Sequence, residues 1–212
     1  MKKAFIYQDD GVSSSSFAGC CTLLEPWAQV VAVSAKEVIN GGWRGDEGYF
    51  VMPGGRDRPY HEKLSGVGNE QVRGFVENGG IYVGICAGAY YGTAEIEFEK
   101  GREHEVCETR ELAFFPGKSI GTLRGEYDYD SDHGSEMIQV TFDDQERLLY
   151  YHGGGYFSGE GEGVGILANY TEFKKPAIIR CRVGKGAALL SGVHFEYCSS
   201  KHQLFEKLLL QS

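Results

Sequence analysis

Short apolar runs recur along the first half of this chain, and they are continuous rather than alternating. Lys2 to Tyr7, Gln29 to Val33, Tyr49 to Met52 and Ile81 to Val83 each read as a strand. Uninterrupted apolar runs of this length suit strands covered on both faces. Helical patterns separate them. Ser13 to Ser16 can cap a helix that carries Cys20, Leu23 and Leu24 and is stopped by Pro26. Val72, Phe75 and Val76 fall at helical spacing between Asn69 and Asn78, with Gly79 where a C-cap belongs. Strands alternating with helices predict parallel pairing through crossover connections.

The second half changes character. Met137 to Phe142 and Arg147 to Tyr151 alternate and flank Asp143-Asp144-Gln145-Glu146, which predicts a hairpin. Ile178 to Val183 and Ala187 to Val193 flank Gly184-Lys185-Gly186 and predict another. A last helix is expected from about Ser200 to Leu210, with Leu204, Phe205, Leu208 and Leu209 on one face. With no repeat and no linker, residues 1–212 read as a single α/β domain: a mostly parallel sheet with helices on both faces and antiparallel strands added in the second half.

Composition narrows the function classes. The formal charge is -9 and no Lys/Arg run stands out, which argues against nucleic acid or an anionic membrane as partner. The N-terminus starts like a signal peptide but has only three apolar residues, Ala4-Phe5-Ile6, and no run approaches a membrane span, so the expected compartment is the cytoplasm. Six cysteines without CxxC or zinc spacing fit reduced, mostly buried thiols better than a disulfide framework.

Chemistry concentrates at three places. Ile81-Tyr82-Val83 runs into Gly84-Ile85-Cys86-Ala87-Gly88, the pattern of a nucleophile elbow with a thiol at its apex. Flanking glycines remove the Cβ atoms that would clash at so sharp a turn. A following helix places partial positive charge beside the sulfur and aims the Ala87 amide where an oxyanion would form. His194-Phe195-Glu196 follows an apolar strand; if extended, residues i and i+2 share a face, so Glu196 could orient His194 as base for Cys86. Pro53-Gly54-Gly55 follows the third strand and should lie at the same sheet edge, offering backbone amides as a second oxyanion donor.

In this order the three pieces resemble the class I glutamine amidotransferase-like superfamily. More narrowly, Val51–Tyr60, Gly84–Thr93, Glu111–Gly117, Tyr151–Gly155, Lys175–Ala177 and Val183–Gly186 look like the amidotransferase-like N-terminal region of eukaryotic biotin-protein ligases. The resemblance implies a flavodoxin-like sheet, Cys86 as nucleophile, His194 as base and Glu196 as its orienter, with Gly54, Gly55 and Ala87 at the oxyanion and substrate side. It also implies a departure: Tyr90 stands where the superfamily's glutaminases usually place a glutamine that helps hold the substrate. No Gly-Arg-Gly-Arg biotin-adenylate loop is found, so the expectation is a stand-alone domain rather than a biotin ligase.

Other signals are weaker. Asp128-Tyr129-Asp130-Ser131-Asp132 begins like a calcium loop, but His133 replaces the glycine at position six and Gln139 the final Glu, so a solvated acidic loop is expected. His152-Gly153-Gly154-Gly155 resembles an esterase oxyanion strip, and is read either as a wall of the pocket or as a turn. The functional expectation is thioester chemistry on a small-molecule amide or acyl group, with no cofactor and no metal. The alternative is a non-catalytic module that keeps the pocket for a ligand or a partner protein, and a redox-sensing thiol is a third class.

Overall fold

The structure, a computed structural model, describes residues 2–45, 47–125 and 127–210. The first half contains β1 (Lys3–Tyr7), α1 (Ser14–Leu24), β2 (Gln29–Val33), α2 (Ala35–Asn40), β3 (Gly48–Met52), α3 (Asp57–Leu64), α4 (Val67–Glu77), β4 (Ile81–Ile85) and α5 (Ala87–Tyr91). β5 (Thr93–Phe98), β6 (Val106–Thr109) and β7 (Phe115–Gly121) follow, then the hairpin β8 (Ser135–Phe142) and β9 (Gln145–His152). β10 (Tyr156–Ser158), β11 (Val164–Tyr170), β12 (Lys175–Val183), β13 (Gly186–Ser191) and α6 (Lys201–Leu210) complete the chain.

Among the described residues the main sheet has nine strands in the order β2-β1-β3-β4-β13-β12-β11-β8-β9. The first five are parallel, in the 2-1-3-4-5 order of a flavodoxin-like sheet; from β13 to β9 every pairing is antiparallel. A second sheet, β10-β7-β5-β6, was not legible in the sequence. It is tied to α3 by Arg110, whose fully buried side chain donates from Nε to Asp57 Oδ2 at 2.8 Å.

The continuous apolar runs have a simple cause. In β1, Ala4 and Ile6 enter one core while Phe5 and Tyr7 enter the other; Tyr49 and Val51 oppose Phe50 and Met52 in the same way. α1 and α6 cover the first face through Leu23, Leu24, Leu204 and Phe205; α2, α3 and α4 cover the second through Val38, Tyr60, Val72 and Phe75. In β8, by contrast, Ile138, Val140 and Phe142 are buried while Met137 and Gln139 are exposed. Ser13 caps α1 as expected; α4 ends at Glu77 with Asn78 as its C-cap, one residue before Gly79, which has φ 121°.

All six cysteines are free thiols; Cys20, Cys86 and Cys181 are buried, Cys21 and Cys198 partly so, and Cys107 is exposed. Burial pushes the Cys181 thiol up to about 12. Among the described residues no helix is long and apolar enough to cross a membrane.

Candidate active site

β4 delivers Cys86 to the carboxyl edge of the sheet at φ 50°, ψ -107°. A non-glycine residue rarely adopts this backbone, and holding it costs about 1–3 kcal/mol. The turn is held on both sides: the Cys86 amide donates to the Ser191 carbonyl at 2.8 Å, and the Cys86 carbonyl accepts from Ala89 and Tyr90 at 2.9 and 3.0 Å. The expected role of the flanking glycines is borne out by spacing. A Cβ on Gly84 would lie 2.4 Å from the Gly88 carbonyl oxygen, and one on Gly88 would lie 2.0 Å from that of Met52. α5 is only five residues long, so the positive helix end beside the sulfur is that of little more than one turn.

His194 and Glu196 meet differently from expectation. The segment is not extended; Phe195–Tyr197 forms a 3₁₀ turn, and the turn brings His194 Nδ1 to 2.8 Å from Glu196 Oε1. Tyr197 stacks on the imidazole at 5.2 Å and Tyr150 meets it edge-on at 5.7 Å, so ring and carboxylate are fixed together. The imidazole and the Cys86 thiol border the same cleft. Nδ1 is committed to Glu196, so Nε2 is the nitrogen left for sulfur. Burial opposes the imidazolium, but the Glu196 carboxylate, aided by Cys86, outweighs it and holds His194 well above the usual histidine value.

The outer edge of β9 helps to align both partners. Residues two apart turn their peptide groups to the same side of a strand. The Tyr150 carbonyl accepts from the His194 amide at 2.8 Å, and the His152 carbonyl lies 3.5 Å from Cys86 Sγ. His152-Gly153 therefore does border the pocket. Burial, with the charge on His194 adding to it, lowers the His152 imidazole below its ordinary value against the pull of the His133 and Asp128 carbonyls.

The Pro53-Gly54-Gly55 turn lies against the elbow. A Cβ on Gly54 would fall 2.7 Å from His194 Cε1 and 3.5 Å from Cys86 Cβ, so only glycine fits between the two side chains. The Gly54 amide, expected to face substrate, instead donates to Ser16 Oγ at 2.9 Å, and Ser16 Oγ donates to Glu196 Oε1 at 2.8 Å. Gly55 differs. Its bridge to Val12 is carried by the neighbouring bonds Ser13 N–H to Gly54 O and Arg56 N–H to Gly11 O, which leaves the Gly55 amide outside the ladder. Ala87 opens α5, where a helix has no internal acceptor for its amide. Ser16 was not singled out in the sequence, where it reads only as part of a capping run. The available signal was its spacing: Ser16, Gly19 and Cys20 share one face of α1, and a Cβ on Gly19 would lie 2.7 Å from Glu196 Cγ.

Cys86 opens on two spaces of very different size. One is a cleft of about 660 Å³ bordered by Ser13–Ser15, Arg56, Tyr150, His194 and Tyr197. The other is a chamber of about 20 Å³ behind the sulfur, touching Gly55, Ala87 and Tyr90, with room for a single water-sized group. Tyr90 forms one of its walls. Its ring packs edge-on against Phe98 at 5.6 Å and its hydroxyl donates to the Gly153 carbonyl at 3.1 Å. Tyr127 and Tyr129 extend this aromatic group to the cleft, where Arg56 lies over Tyr129 at 4.7 Å and pairs with Asp130 at 2.7 Å. The acidic loop is thus tied to the rim. The Asp128 carboxylate serves the loop itself, accepting from the Asp130 amide and the Ser131 hydroxyl. Among the described residues no group of three His, Cys, Asp or Glu could hold a metal ion.

The family model for the N-terminal part of biotin-protein ligase matches residues 2–209. The chain belongs to the biotin-protein ligase N-terminal family. It is 30% identical over 217 residues to the biotin–protein ligase of Schizosaccharomyces pombe, a match that takes in 95% of this chain but only 34% of the ligase. This family member therefore spans about a third of that relative's length. An uncharacterized protein of Chlamydia muridarum is 32% identical over 210 residues, covering 93% of this chain and 81% of its own. The fold is also that of a glutamine amidotransferase crystal structure, with a TM-score of 0.65 at 19% identity, covering 97% of this chain and 96% of the other.

Proposed function

We propose that Cys86 attacks the carbonyl carbon of an amide or acyl group presented from the cleft. His194, which has already taken the thiol proton, stands as imidazolium beside the attacking thiolate, and the carbonyl oxygen becomes an oxyanion facing the Gly55 and Ala87 amides. Collapse of that intermediate expels the amine or alcohol, which takes the proton back from His194 and leaves a thioester. Water or an amine then attacks the thioester, gives its proton to His194, and restores the Cys86 thiolate. The reading is supported chiefly by one observation: a His194–Glu196 pair bonded at 2.8 Å shares a cleft with Cys86, which sits at a strained elbow.

The 20 Å³ chamber argues against a route in which a glutamine side chain is held behind the sulfur. The substrate is instead an amide or acyl compound, free or carried on a partner protein, that reaches sulfur through the open cleft. Tyr90 also favours a second reading, in which the domain binds a ligand or partner without turning it over.

Iodoacetamide labelling followed by mass spectrometry separates the two, with exposed Cys107 as internal reference. At pH 7 Cys86 should react about tenfold faster than Cys107, as an activated thiolate does. The advantage should vanish in His194→Ala, and Cys86→Ser should remove the labelled peptide. Labelling of Cys86 at or below the rate of Cys107 would leave only the binding reading.

A further inference from the structure

The sequence of contacts around Glu196 does not end at His194. Glu196 is fully buried, and its Oε1 accepts twice: from His194 Nδ1 and from Ser16 Oγ, each at 2.8 Å. Ser16 is fully buried as well, and its oxygen also accepts the Gly54 amide at 2.9 Å. The polarity of this line is fixed by chemistry. An amide can only donate, so Ser16 must spend its own proton on Glu196. Glu196 Oε1 is then an acceptor on both sides, which places a proton on His194 Nδ1 and leaves Nε2 for the sulfur. One hydroxyl thus joins the turn that presents Gly55 to the pair that holds the base.

We infer that Ser16 is a positioning residue that sets the oxyanion turn and the Glu196–His194 pair in one register. The inference rests on the proposed thioester chemistry for its consequence, but the register itself is a property of the fold. Three features support it. The helix face is shaped for the carboxylate, since Gly19 leaves the room that Glu196 Cγ occupies. A Cβ on Gly54 would meet His194 Cε1 at 2.7 Å and Cys86 Cβ at 3.5 Å, so the turn leaves little room against either and its displacement is felt at both. The two elements have no other hydrogen-bonded tie among the described residues that passes through a single atom.

The test compares Ser16→Ala with Ser16→Thr, which keeps a hydroxyl. Two probes are used: p-nitrophenyl acetate, whose acyl transfer to Cys86 needs an oxyanion site, and iodoacetamide, whose alkylation of Cys86 does not. Ser16→Ala should slow acylation by about tenfold, the loss expected when a buried donor is left without its acceptor, and Ser16→Thr should recover most of it. Alkylation should fall less than acylation in Ser16→Ala. A wild-type acylation rate in Ser16→Ala, or equal losses with both probes and no rescue by Ser16→Thr, would overturn the inference. A readout independent of reactivity is the low-field proton resonance of the His194 Nδ1–H to Glu196 bond. It should persist in wild type and Ser16→Thr and broaden or disappear in Ser16→Ala. If Cys86 proves unreactive in wild type, the thioester reading fails while this resonance still decides the role of Ser16: its unchanged presence in Ser16→Ala refutes the positioning role.

Discussion

The parallel and antiparallel parts of the main sheet contribute different things to one site. The parallel part, β1 to β4, supplies the thiol at the elbow and the glycine turn, both at strand ends buried on both faces. The antiparallel part supplies little of the candidate chemistry by side chain. It offers carbonyls from Tyr150 and His152 that align His194 and Cys86, and the aromatic and acidic segments that shape the cleft. β13 is the seam, parallel to β4 and antiparallel to β12, and the Cys86 amide crosses it to Ser191. Reactive geometry thus sits where the backbone has least freedom, and what the cleft admits is set by the half with an open face.

The hardest blow to the parallel half is a single methyl group. In Gly88→Ala the added Cβ would meet the Met52 carbonyl oxygen at 2.0 Å, backbone against backbone with no side chain to yield. Urea unfolding should show a loss of more than about 4 kcal/mol, or no folded protein at all. A stable Gly88→Ala variant would mean that the elbow is looser than this spacing requires.

That contrast also explains what could be read beforehand. β1 to β4, the elbow and the late His-x-Glu were legible because each depends on local signals: apolar runs, flanking glycines, a short motif. The hairpin β8–β9 was legible from alternation and its Asp143-Asp144 turn. β5, β6, β7 and β10 were not, since strands such as Thr93–Phe98, with Glu95 and Glu97 inside it, carry charge and gain their pairing only from distant segments. Ser16 was hidden for a similar reason: its partners are 38 and 180 residues away. The direction in which Glu196 approaches His194 was misjudged because i, i+2 alternation presumes a strand, whereas the chain turns.

Tyr90 is where the two parts press on each other, since it follows the elbow but packs on β5. Tyr90→Ala should cost about 3 kcal/mol, as for other large buried aromatics, measured by urea unfolding. Alkylation of Cys86 should stay within about threefold of wild type, because Tyr90 lines the small chamber and not the cleft that Cys86 shares with His194. If alkylation collapses with stability, the aromatic cluster is holding the elbow itself and the division between halves is too sharp.

His194 gives a smaller effect with a defined sign. Its proton affinity is raised in the folded protein, so the proton it holds favours folding. That contribution is complete below the ordinary histidine value of about 6.5 and is lost as pH rises through the raised folded value. The stability difference between wild type and His194→Gln should therefore be largest near about pH 6 and shrink steadily toward about pH 9. A difference that grows with pH would mean that His194 is buried neutral.

The smallest effect belongs to the wet face of the antiparallel half. Leu148 in β9 is 57% exposed, and it lies diagonally from Met137, which is 56% exposed, on the same side of the hairpin. Its side chain points away from the core that its neighbour Leu149 enters, so burial does not hold it there. Its peptide group lies on the outer edge of β9, two residues before Tyr150, whose carbonyl anchors His194. A side-chain change should leave that edge intact. Leu148→Lys should thus shift urea-unfolding stability by less than about 0.5 kcal/mol and leave Cys86 labelling unchanged. A substantial loss of stability would instead show that this face is covered in solution, and would break the contrast between a sheet half sealed on both sides and one sealed on a single side.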